Sequence, residues 1–383
     1  MKIVHICHTY IDGFAYQDNE LPKAHAKLGH DVTIISTLDY AGCFNYSVTQ
    51  SLNNKIYYSD KCKIIRLALK YKSNYRFILY KGLYSILKEE NPDLIYFHEL
   101  PYFNYYDIIR YKKKYNCKLV VDFHCDYYNS ARGFISKFIL HKGLYRFING
   151  IVKSYVDQYY AVTPGTIDFV YSMYNINREK IKLLPLGGNL DEIESNNNKT
   201  ARSQTRLELG ISENQLIIIT AGKIDYNKKT IELIKAYKKL NNKHIDLVII
   251  GSIESKCEKK IFKLCDNNPN IHLLGWKTPQ EIYRYFIASD LGCFPGSQSA
   301  IWQQAICCGL PLICRYWPGG DYLDCGGNIS FIQDDSETDI FNAIKEIIET
   351  TGTLDKMSHI SKKYGKERFS YINIAQKVID DLK

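Results

Sequence analysis

The stretch that decides the fold is DLGCFPGSQSAIWQQAICCGLPLI, residues 290–313. It begins with a short apolar run, passes through a glycine and serine loop, and continues as a segment with helical spacing. Gly309 and Pro311 then lead into a second apolar run. A strand, a helix and a second strand in this order are typical of a parallel βαβ unit. The sequence therefore predicts an α/β domain with a parallel sheet at this point.

The same alternation extends outward through the rest of the chain. Segments with helical periodicity, such as 17–28 and 229–241, separate short apolar runs. We therefore expect α/β domains of the doubly wound type. The predicted strands are 2–7, 31–36, 93–98, 118–124, 158–163, 180–186, 216–223, 246–252, 270–276, 290–296, 310–315 and 328–332.

A polar stretch interrupts the pattern near the middle of the chain, at residues 192–200. With 383 residues, of which 45% are hydrophobic, the chain is long enough for two separate cores. We predict a Rossmann-like domain at 1–190, a linker at 191–210, a second Rossmann-like domain at 211–368 and a final helix at 369–383. Ligands bind such sheets at the carboxyl ends of the strands, so two such domains facing a cleft would suit a two-substrate reaction.

Several classes of protein are excluded by the sequence. The amino terminus lacks a signal-peptide core, and no run approaches the roughly 20 apolar residues of a membrane span, so we expect a cytoplasmic protein. The 12 cysteines show no paired CxxC spacing, so neither zinc nor a disulfide framework is expected. Only Gly13 follows the first strand where a nicotinamide-binding protein has GxGxxG, which argues against that cofactor.

Basic residues are concentrated in the first half of the chain, and the net charge is +9. Segments 66–88 and 132–146 mix lysine and arginine with large apolar residues, and Lys112, Lys113 and Lys114 form a further cluster. Two interpretations stay open: a surface that contacts an anionic membrane, and core helices with solvated basic faces. Nucleic-acid binding is not expected, because no known binding module is present.

Two loops of the second half carry groups suited to phosphate. Lys223 and Lys228 flank a strand-to-helix turn, where cations are well placed to hold a diphosphate; the alternative is a pair of solvated lysines. Ser297 and Ser299 precede the helix of the 290–313 stretch, whose first N–H groups suit an anion. Ser299 is also a candidate for the residue that caps this helix.

Five segments, in order along nearly the whole chain, resemble the retaining glycosyltransferases of family 4, which have the GT-B architecture. The resemblance implies two Rossmann-like domains facing a cleft, with the acceptor bound by the first domain, the donor by the second, and a final helix that crosses back to the first. The segments are Gly29-His30-Asp31-Val32, Leu184-Pro185-Leu186-Gly187 with Asp191, Gly222-Lys223 with Lys228, Gln304–Pro311, and Arg368-Phe369-Ser370 with the final helix.

The resemblance also implies an activity. The protein is expected to be an enzyme of the hexosyltransferase type that moves a sugar from a nucleotide-diphosphate sugar to a glycan or lipid-linked acceptor, in the biosynthesis of a surface polysaccharide. This would take place in the cytoplasm or at the inner face of the cell membrane. The departing phosphate would accept the proton of the acceptor hydroxyl, so no cofactor and no metal are expected. The absence of an Asp-x-Asp motif agrees with a metal-independent site.

Site residues follow from the resemblance position by position. Lys223 and Lys228 would neutralise the donor diphosphate. His124, which ends the strand 118–124, would face the donor sugar, with Asp126 as a neighbour. Gln304 occupies the position of a glutamate that binds the nucleotide ribose. The remaining donor-binding residues implied by the resemblance are Gly13, Gly222, Trp276, Ser297 and Ser299.

The chain departs from the family in its usual Glu-x7-Glu pair. Gln304 stands at the second position and Gly296 at the first, so both carboxylates are missing. Glutamine can still bond ribose hydroxyls, and Ser297, Gln298 or Ser299 would then contact the donor sugar. Two alternatives stay open: a GT-B-shaped sugar-nucleotide epimerase or hydrolase that uses His124, and a non-catalytic subunit that binds the nucleotide sugar.

Overall fold

A computed structural model describes residues 1–37, 55–73, 77–99, 103–196 and 199–383. The chain divides into two compact units, of which unit 1 comprises Met1–Pro185 and Ile374–Lys383, and unit 2 comprises Leu186–Asn373. Each unit is built around a largely parallel sheet covered by helices, so the predicted α/β class with two doubly wound domains is confirmed.

Unit 1 has an eight-stranded sheet with the strand order β10-β9-β8-β7-β1-β2-β4-β3. All neighbours are parallel except the edge strand β3, which runs antiparallel to β4, while β5 and β6 form a separate antiparallel pair. The strands are β1 (Lys2–Thr9), β2 (Asp31–Thr37), β3 (Ile56–Ser59), β4 (Cys62–Arg66), β5 (Leu69–Ser73), β6 (Phe77–Tyr80), β7 (Leu94–His98), β8 (Lys118–Phe123), β9 (Gln158–Ala161) and β10 (Ile181–Leu183).

The helices of unit 1 follow the strands as the doubly wound pattern requires. Thr163 caps the amino terminus of α5, because its side chain accepts a hydrogen bond from the Thr166 amide, and Pro164 occupies the first turn. A π-helical segment, Ile135–Tyr145, runs directly into α4. The α-helices are α1 (Gln17–Lys27), α2 (Leu83–Glu90), α3 (Tyr105–Lys112), α4 (Arg146–Val152) and α5 (Pro164–Tyr174).

Unit 2 has a six-stranded sheet, entirely parallel, in the order β13-β12-β11-β14-β15-β16. Its strands are β11 (Leu216–Ala221), β12 (Ile245–Ile250), β13 (Ile271–Leu273), β14 (Leu291–Phe294), β15 (Leu312–Arg315) and β16 (Ile329–Ile332). Its helices are α6 (Leu190–Asn196), α7 (Lys199–Glu208), α8 (Thr230–Leu240), α9 (Ser255–Cys265), α10 (Pro279–Ala288), α11 (Ile301–Cys307), α12 (Glu337–Glu349) and α13 (Thr353–Phe369).

The segment 191–210, predicted to be a linker, contains most of α6 and all of α7 and belongs to unit 2. It lacks an apolar stripe because α7 packs through buried polar groups. Thr205 and Arg206 are both buried, and the Arg206 guanidinium donates to the carbonyl oxygens of Ala288 and Gln215. Hydrophobic periodicity does not detect a helix that is held in this way.

The last helix, α14 (Tyr371–Asp380), leads the chain into unit 1. Its end is held there by Asp381, whose carboxylate accepts hydrogen bonds from Tyr160 (2.8 Å) and Lys182 (2.7 Å). Within the described ranges, no helix combines the length and the apolar character that crossing a bilayer requires.

The two basic segments differ in structure. Segment 66–88 contains β5, β6 and part of α2, and its first basic residue, Arg66, is fully buried against Asp12 (3.0 Å). The strand β5 alternates lysine with leucine and tyrosine, and β6 is a short apolar run within a basic segment, so the sequence analysis predicted neither strand. Segment 132–146, in contrast, is mainly helical and largely exposed.

Candidate active site

A recess at the carboxyl ends of β11 and β14 brings together most of the predicted donor-binding residues. The strand order changes direction here, because β12 lies on one side of β11 and β14 on the other. This is the switch point at which open parallel sheets bind ligands. The residues that line the recess include Gly222, Lys223, Lys228, Ser297 and Ser299.

A tight turn after β11 positions Lys228. The Asp225 carboxylate accepts hydrogen bonds from the amides of Asn227 (2.9 Å) and Lys228 (3.1 Å), which closes a single 3₁₀ turn before α8. The Lys228 ammonium then donates to the carbonyl oxygens of Ser297 (2.9 Å) and Gln298 (3.1 Å). One lysine therefore joins the turn after β11 to the loop after β14.

The backbones of this turn and this loop are in direct contact. The Ser297 amide donates to the Asn227 carbonyl oxygen at 2.9 Å. A Cβ atom on Gly296 would lie 2.2 Å from that same oxygen, so only glycine fits at this position. Gly222 has a φ of 121°, and Gly251 packs so closely that a Cβ on Gly251 would lie 1.8 Å from the Gly222 oxygen.

The two lysines of the recess differ in environment. Burial lowers the pKa of Lys228 to about 8, partly offset by the charge of Asp225. Lys223 is mostly exposed, and its ammonium lies 3.9 Å from the Glu254 carboxylate. The recess thus offers one desolvated amine and one solvated cation, both suited to an anionic ligand.

The other predicted donor-binding residues of unit 2 lie around the recess. Ser299 does not cap α11, because Ala300 precedes the helix and no side chain caps it; this prediction was wrong. The Ser299 carbonyl instead accepts from the Trp302 amide at 3.2 Å. Gln304 is half-buried on α11 and outside the lining of the recess, and Trp276 is 63% exposed in the loop after β13.

The two remaining predicted residues, Gly13 and His124, lie in unit 1. Gly13 forms the turn after β1 with a φ of 82°, which favours glycine. His124 directly follows β8, and its Nε2 atom lies 3.5 Å from Oδ2 of Asp122. Asp122 is fully buried and lies beside His98 of β7 in the sheet register.

A line of buried histidines extends from Asp122 into unit 1. Nδ1 of His98 lies 3.1 Å from Asp122 Oδ2 and 3.3 Å from Asp18 Oδ1. Nε2 of His98 lies 3.0 Å from Nδ1 of His5, whose Nε2 lies 3.1 Å from Nδ1 of His25. Each contact is short enough for a hydrogen bond, so a single network connects the end of β8 with α1.

The network separates charged from neutral histidines. Burial opposes protonation of His124, but the Asp122 carboxylate outweighs it and raises the pKa of His124 to about 9. The pKa of His98 is also raised, because Asp122 and Asp18 outweigh its burial. Burial lowers the pKa of His25 to about 3 and that of His5 well below its usual range. At neutral pH, His124 is therefore cationic while the two inner histidines are neutral.

The same region contains ligand types that metals prefer. The side chains of His98, Asp122 and His124 offer atoms within 4.8 Å of one another, and Cys7, Asp18 and His98 form a second such set. Asp122 Oδ2, however, already accepts a hydrogen bond from Tyr96 at 3.0 Å besides its contacts with both histidines. The arrangement is accounted for by hydrogen bonds and ion pairs among the side chains themselves.

Asp126, expected beside His124, has a local structural role instead. Its carboxylate accepts from the amides of Tyr128 (2.7 Å) and Asn129 (3.0 Å) and so forms a turn. The acidic partner of His124 is Asp122, which sequence reasoning missed together with His98 and His5. The sequence did contain a signal for Asp122, because it is an ionisable residue inside an otherwise apolar strand. Burying such a residue costs free energy unless it is paired.

Comparison with known proteins agrees with this geometry. A model described as Glycosyltransferase Family 4 matches residues 19–192, and a model described as Glycosyl transferases group 1 matches residues 201–368. Together with two parallel α/β units, these matches define a glycosyltransferase of the GT-B class. The chain belongs to the family that these two models describe, and the predicted family is thereby confirmed. No curated protein matches the chain.

Solved structures with the same fold are distant in sequence. A glycosyltransferase from Rickettsia africae has 16% identity and a TM-score of 0.74, covering 100% of this chain and 97% of that chain. HepE from Anabaena in complex with UDP has 16% identity and a TM-score of 0.71, with 100% and 99% covered. UDP-GlcNAc 2-epimerase from Neisseria meningitidis has 14% identity and a TM-score of 0.66, with 100% and 99% covered. At these identities they establish the fold alone.

Proposed function

We propose that this glycosyltransferase transfers a sugar, with retention of configuration, from a nucleotide-diphosphate sugar to a glycan or lipid-linked acceptor. The observation that carries the donor assignment is the recess of unit 2, where Lys223, Lys228 and the Gly296–Ser299 loop converge at a sheet switch point. UDP sugars are the first candidates, because HepE from Anabaena was solved with UDP.

Lys228 is the group that stabilises the departing diphosphate in this proposal. Its ammonium is held by neutral carbonyl oxygens, so its charge remains available for an anion. Negative charge grows on the diphosphate as the glycosidic bond breaks, and a preorganised cation lowers the energy of that state. Lys223, being exposed, adds a mobile charge at the mouth of the recess.

No metal ion and no cofactor are required by this mechanism, because lysines neutralise the diphosphate. The released phosphate oxygen accepts the proton of the acceptor hydroxyl on the same face of the sugar. Cationic His124 is suited to bond sugar hydroxyls rather than to remove a proton, because the neighbouring Asp122 keeps it protonated. Activity after dialysis against a chelator tests metal independence; its loss, with recovery on adding Mg²⁺ or Mn²⁺, would count against the proposal.

The cellular role follows as part of the same proposal. We place the enzyme in the cytoplasm, at the inner face of the cell membrane, where it would build a surface polysaccharide on a lipid-linked acceptor. The net charge of +9 supports proximity to an anionic surface. Peripheral association would bring the enzyme close to acceptors that cannot leave the bilayer.

A second function is favoured by one observation, the ion pair between His124 and Asp122. A protonated histidine paired with a carboxylate also suits an epimerase or hydrolase of the sugar nucleotide, in which His124 would donate a proton, and an epimerase from Neisseria meningitidis shares the fold. A non-catalytic subunit is the remaining alternative, since the usual glutamates are absent.

One experiment separates the three functions. Thermal unfolding is first measured with UDP, GDP, ADP, CMP and dTDP compounds, because a ligand that binds only the native state raises the melting temperature. The sugar form of the best nucleotide is then incubated with and without acceptors. Nucleotide release that needs an acceptor supports the transferase, an altered sugar nucleotide without acceptor supports the epimerase, and binding without turnover supports the subunit.

A further inference from the structure

The surface of unit 1 contains a stripe of exposed apolar side chains along the Ile135–Tyr145 segment and α4, interrupted by Lys142 and Gly143. Exposed positions recur about every four residues, mostly in adjacent pairs, while His141, Tyr145, Asn149 and Val152 are buried. The large exposed side chains of the stripe are Phe134, Ile135, Phe138, Ile139, Phe147 and Ile151.

The exposure is large for a soluble protein surface. Phe134 is 73% exposed and Phe147 is 67% exposed. The inner face is already satisfied, because His141 bonds the Tyr174 hydroxyl at 2.9 Å and Asn149 accepts from the Tyr159 hydroxyl at 3.1 Å. The outer apolar face is therefore not needed for packing within unit 1, and a cluster of exposed apolar side chains of this kind marks a docking surface.

The charged side chains of residues 132–153 are all basic. Residues 132–153 contain no aspartate or glutamate. The ammonium groups of Lys137 and Lys142 lie 5.6 Å and 5.5 Å from the centre of the Phe138 ring, so positive charge lies beside the apolar stripe. The basic residues of the stretch are Arg132, Lys137, Lys142, Arg146 and Lys153.

An apolar groove continues the stripe toward α3. Ile151 belongs to both, and the groove has a volume of about 610 Å³, which is within the range of ligand pockets. Two cations, Arg110 and Lys113, line it, and neither forms an ion pair with the part of the chain that the structure describes. The apolar lining includes Tyr106, Ile109, Ile148 and Ile151.

We propose that this face, comprising the stripe Phe134–Ile151 and the adjoining groove, docks on an anionic lipid bilayer. The apolar side chains would enter the interfacial region, and the flanking lysines and arginines would contact lipid phosphates. The groove would take one hydrocarbon chain, with Arg110 and Lys113 near its phosphate. A second copy of this chain fits less well, because a two-fold contact would bring the same unpaired cations together.

The test is vesicle flotation of the full chain without any nucleotide sugar, so that its outcome is separable from that of the proposed transferase activity. The wild type should float with vesicles of phosphatidylcholine and phosphatidylglycerol, but not with phosphatidylcholine alone, and added salt should weaken binding. The double variant Phe138→Glu/Ile139→Glu should stay unbound. The matched control Leu207→Glu/Phe262→Glu changes two exposed apolar residues of unit 2 and should float like the wild type.

Separate variants test the contribution of positive charge to vesicle binding and the insertion of the apolar side chains into the bilayer. Reversing Lys142→Glu and Arg146→Glu should weaken vesicle binding by about 30-fold or more. A Phe147→Trp variant should show a blue-shifted emission increment on adding anionic vesicles, since the new indole would leave water. Thermal unfolding of each variant checks that the fold is kept.

Three results would overturn the proposal. The first is a wild type that does not float, and the second is a Phe138→Glu/Ile139→Glu variant that floats normally. The third is self-association: a wild-type dimer, broken by the same double substitution and indifferent to vesicles, would assign the face to a second copy.

Discussion

The ammonium nitrogen of Lys228 lies 2.9 Å from the carbonyl oxygen of Ser297, in a loop that follows a different strand. Both partners of the ammonium are neutral oxygens, and within the described ranges no carboxylate lies within ion-pair distance of it. A partly buried cation held in this way would be preorganised for the diphosphate of the proposed donor. The contact therefore joins two loops and also places a positive charge in the recess. Substitutions at Lys228 and at Gly296 separate these two roles.

Replacing Lys228→Ala should reduce kcat by about 10²- to 10³-fold, because one preorganised charge is lost from the transition state. Steady-state kinetics with the donor identified by thermal shift provide the measurement. Lys228→Arg should retain more activity than Lys228→Ala, since the charge remains although its geometry changes.

The control for this prediction is Lys235→Ala. Lys235 lies on the neighbouring helix α8, where its ammonium is 3.8 Å from Glu337 at the surface. Its removal should leave kcat within about twofold of the wild type, because exposed ion pairs contribute little. Near-normal kcat in Lys228→Ala, or equal losses in both variants, would contradict the role of Lys228 as a phosphate clamp.

The pH dependence should report the burial of Lys228. Its pKa is lowered to about 8, so kcat/KM of the wild type should fall as the pH rises above that value. Lys228→Arg should lack this decline, because the guanidinium stays charged. Donor binding should shift the kcat profile to higher pH, since an anion favours the protonated amine.

The lowered pKa of Lys228 also makes the free energy of unfolding depend on pH. Stability should rise with pH over the range in which kcat/KM falls. The folded-state pKa of about 8 lies below the ordinary value of 10.5, so the unfolded chain binds more protons between these values. Raising the pH from about 8 to 10.5 should therefore increase the free energy of unfolding of the wild type relative to that of Lys228→Met. Denaturant unfolding of both proteins at several pH values measures this; a difference independent of pH would contradict the burial of the amine.

Gly296→Ala tests the contact between the two loops. A Cβ atom would lie 2.2 Å from the Asn227 oxygen and 2.5 Å from the Lys228 carbonyl carbon, both of them backbone atoms. The substitution should cost about 1–3 kcal/mol of stability and displace the loop, so that the donor no longer raises the melting temperature. Gly165→Ala is the control, because its Cβ would meet only the Thr163 hydroxyl at an ordinary 3.7 Å. A fully active Gly296→Ala protein would show that the loop tolerates movement.

The extent to which sequence predicted the fold depends on how each strand is buried. All twelve predicted strands are present, since central parallel strands are covered on both faces and appear as continuous apolar runs, as in the fully buried β12. The strands β3, β4, β5 and β6 were missed. The strand β3 alternates between exposed and half-buried residues, and β4 and β5 mix lysine with apolar residues. The strand β6 is an apolar run, but it lies inside segment 66–88, which was interpreted as one basic amphipathic stretch.

The candidate site was predictable only in part for a related reason. Position after a strand identifies Lys228, since loops at the carboxyl edge of a parallel sheet bind ligands. The sequence contains nothing that pairs Asp122 with His98, because that contact depends on the register of two strands 24 residues apart. The sequence alone therefore suggests Asp126 as the neighbour of His124, whereas in the structure the carboxylate beside His124 is that of Asp122.

The His124 and Asp122 pair provides the last prediction. If the proposed function holds, His124→Ala should lower kcat by about 10²-fold, since a charged group that would bond the sugar hydroxyls is lost. Asp122→Asn should lower the pKa of His124 from about 9 toward its ordinary 6.5, because the carboxylate is what raises it. An imidazole titration by NMR measures the shift, and kinetics at pH 7.5 should then show a loss that is partly recovered at lower pH. Asp126→Asn keeps the local turn and should change neither quantity. If Asp126→Asn shifted the His124 titration as strongly as Asp122→Asn, the charge on His124 would not originate from the sheet.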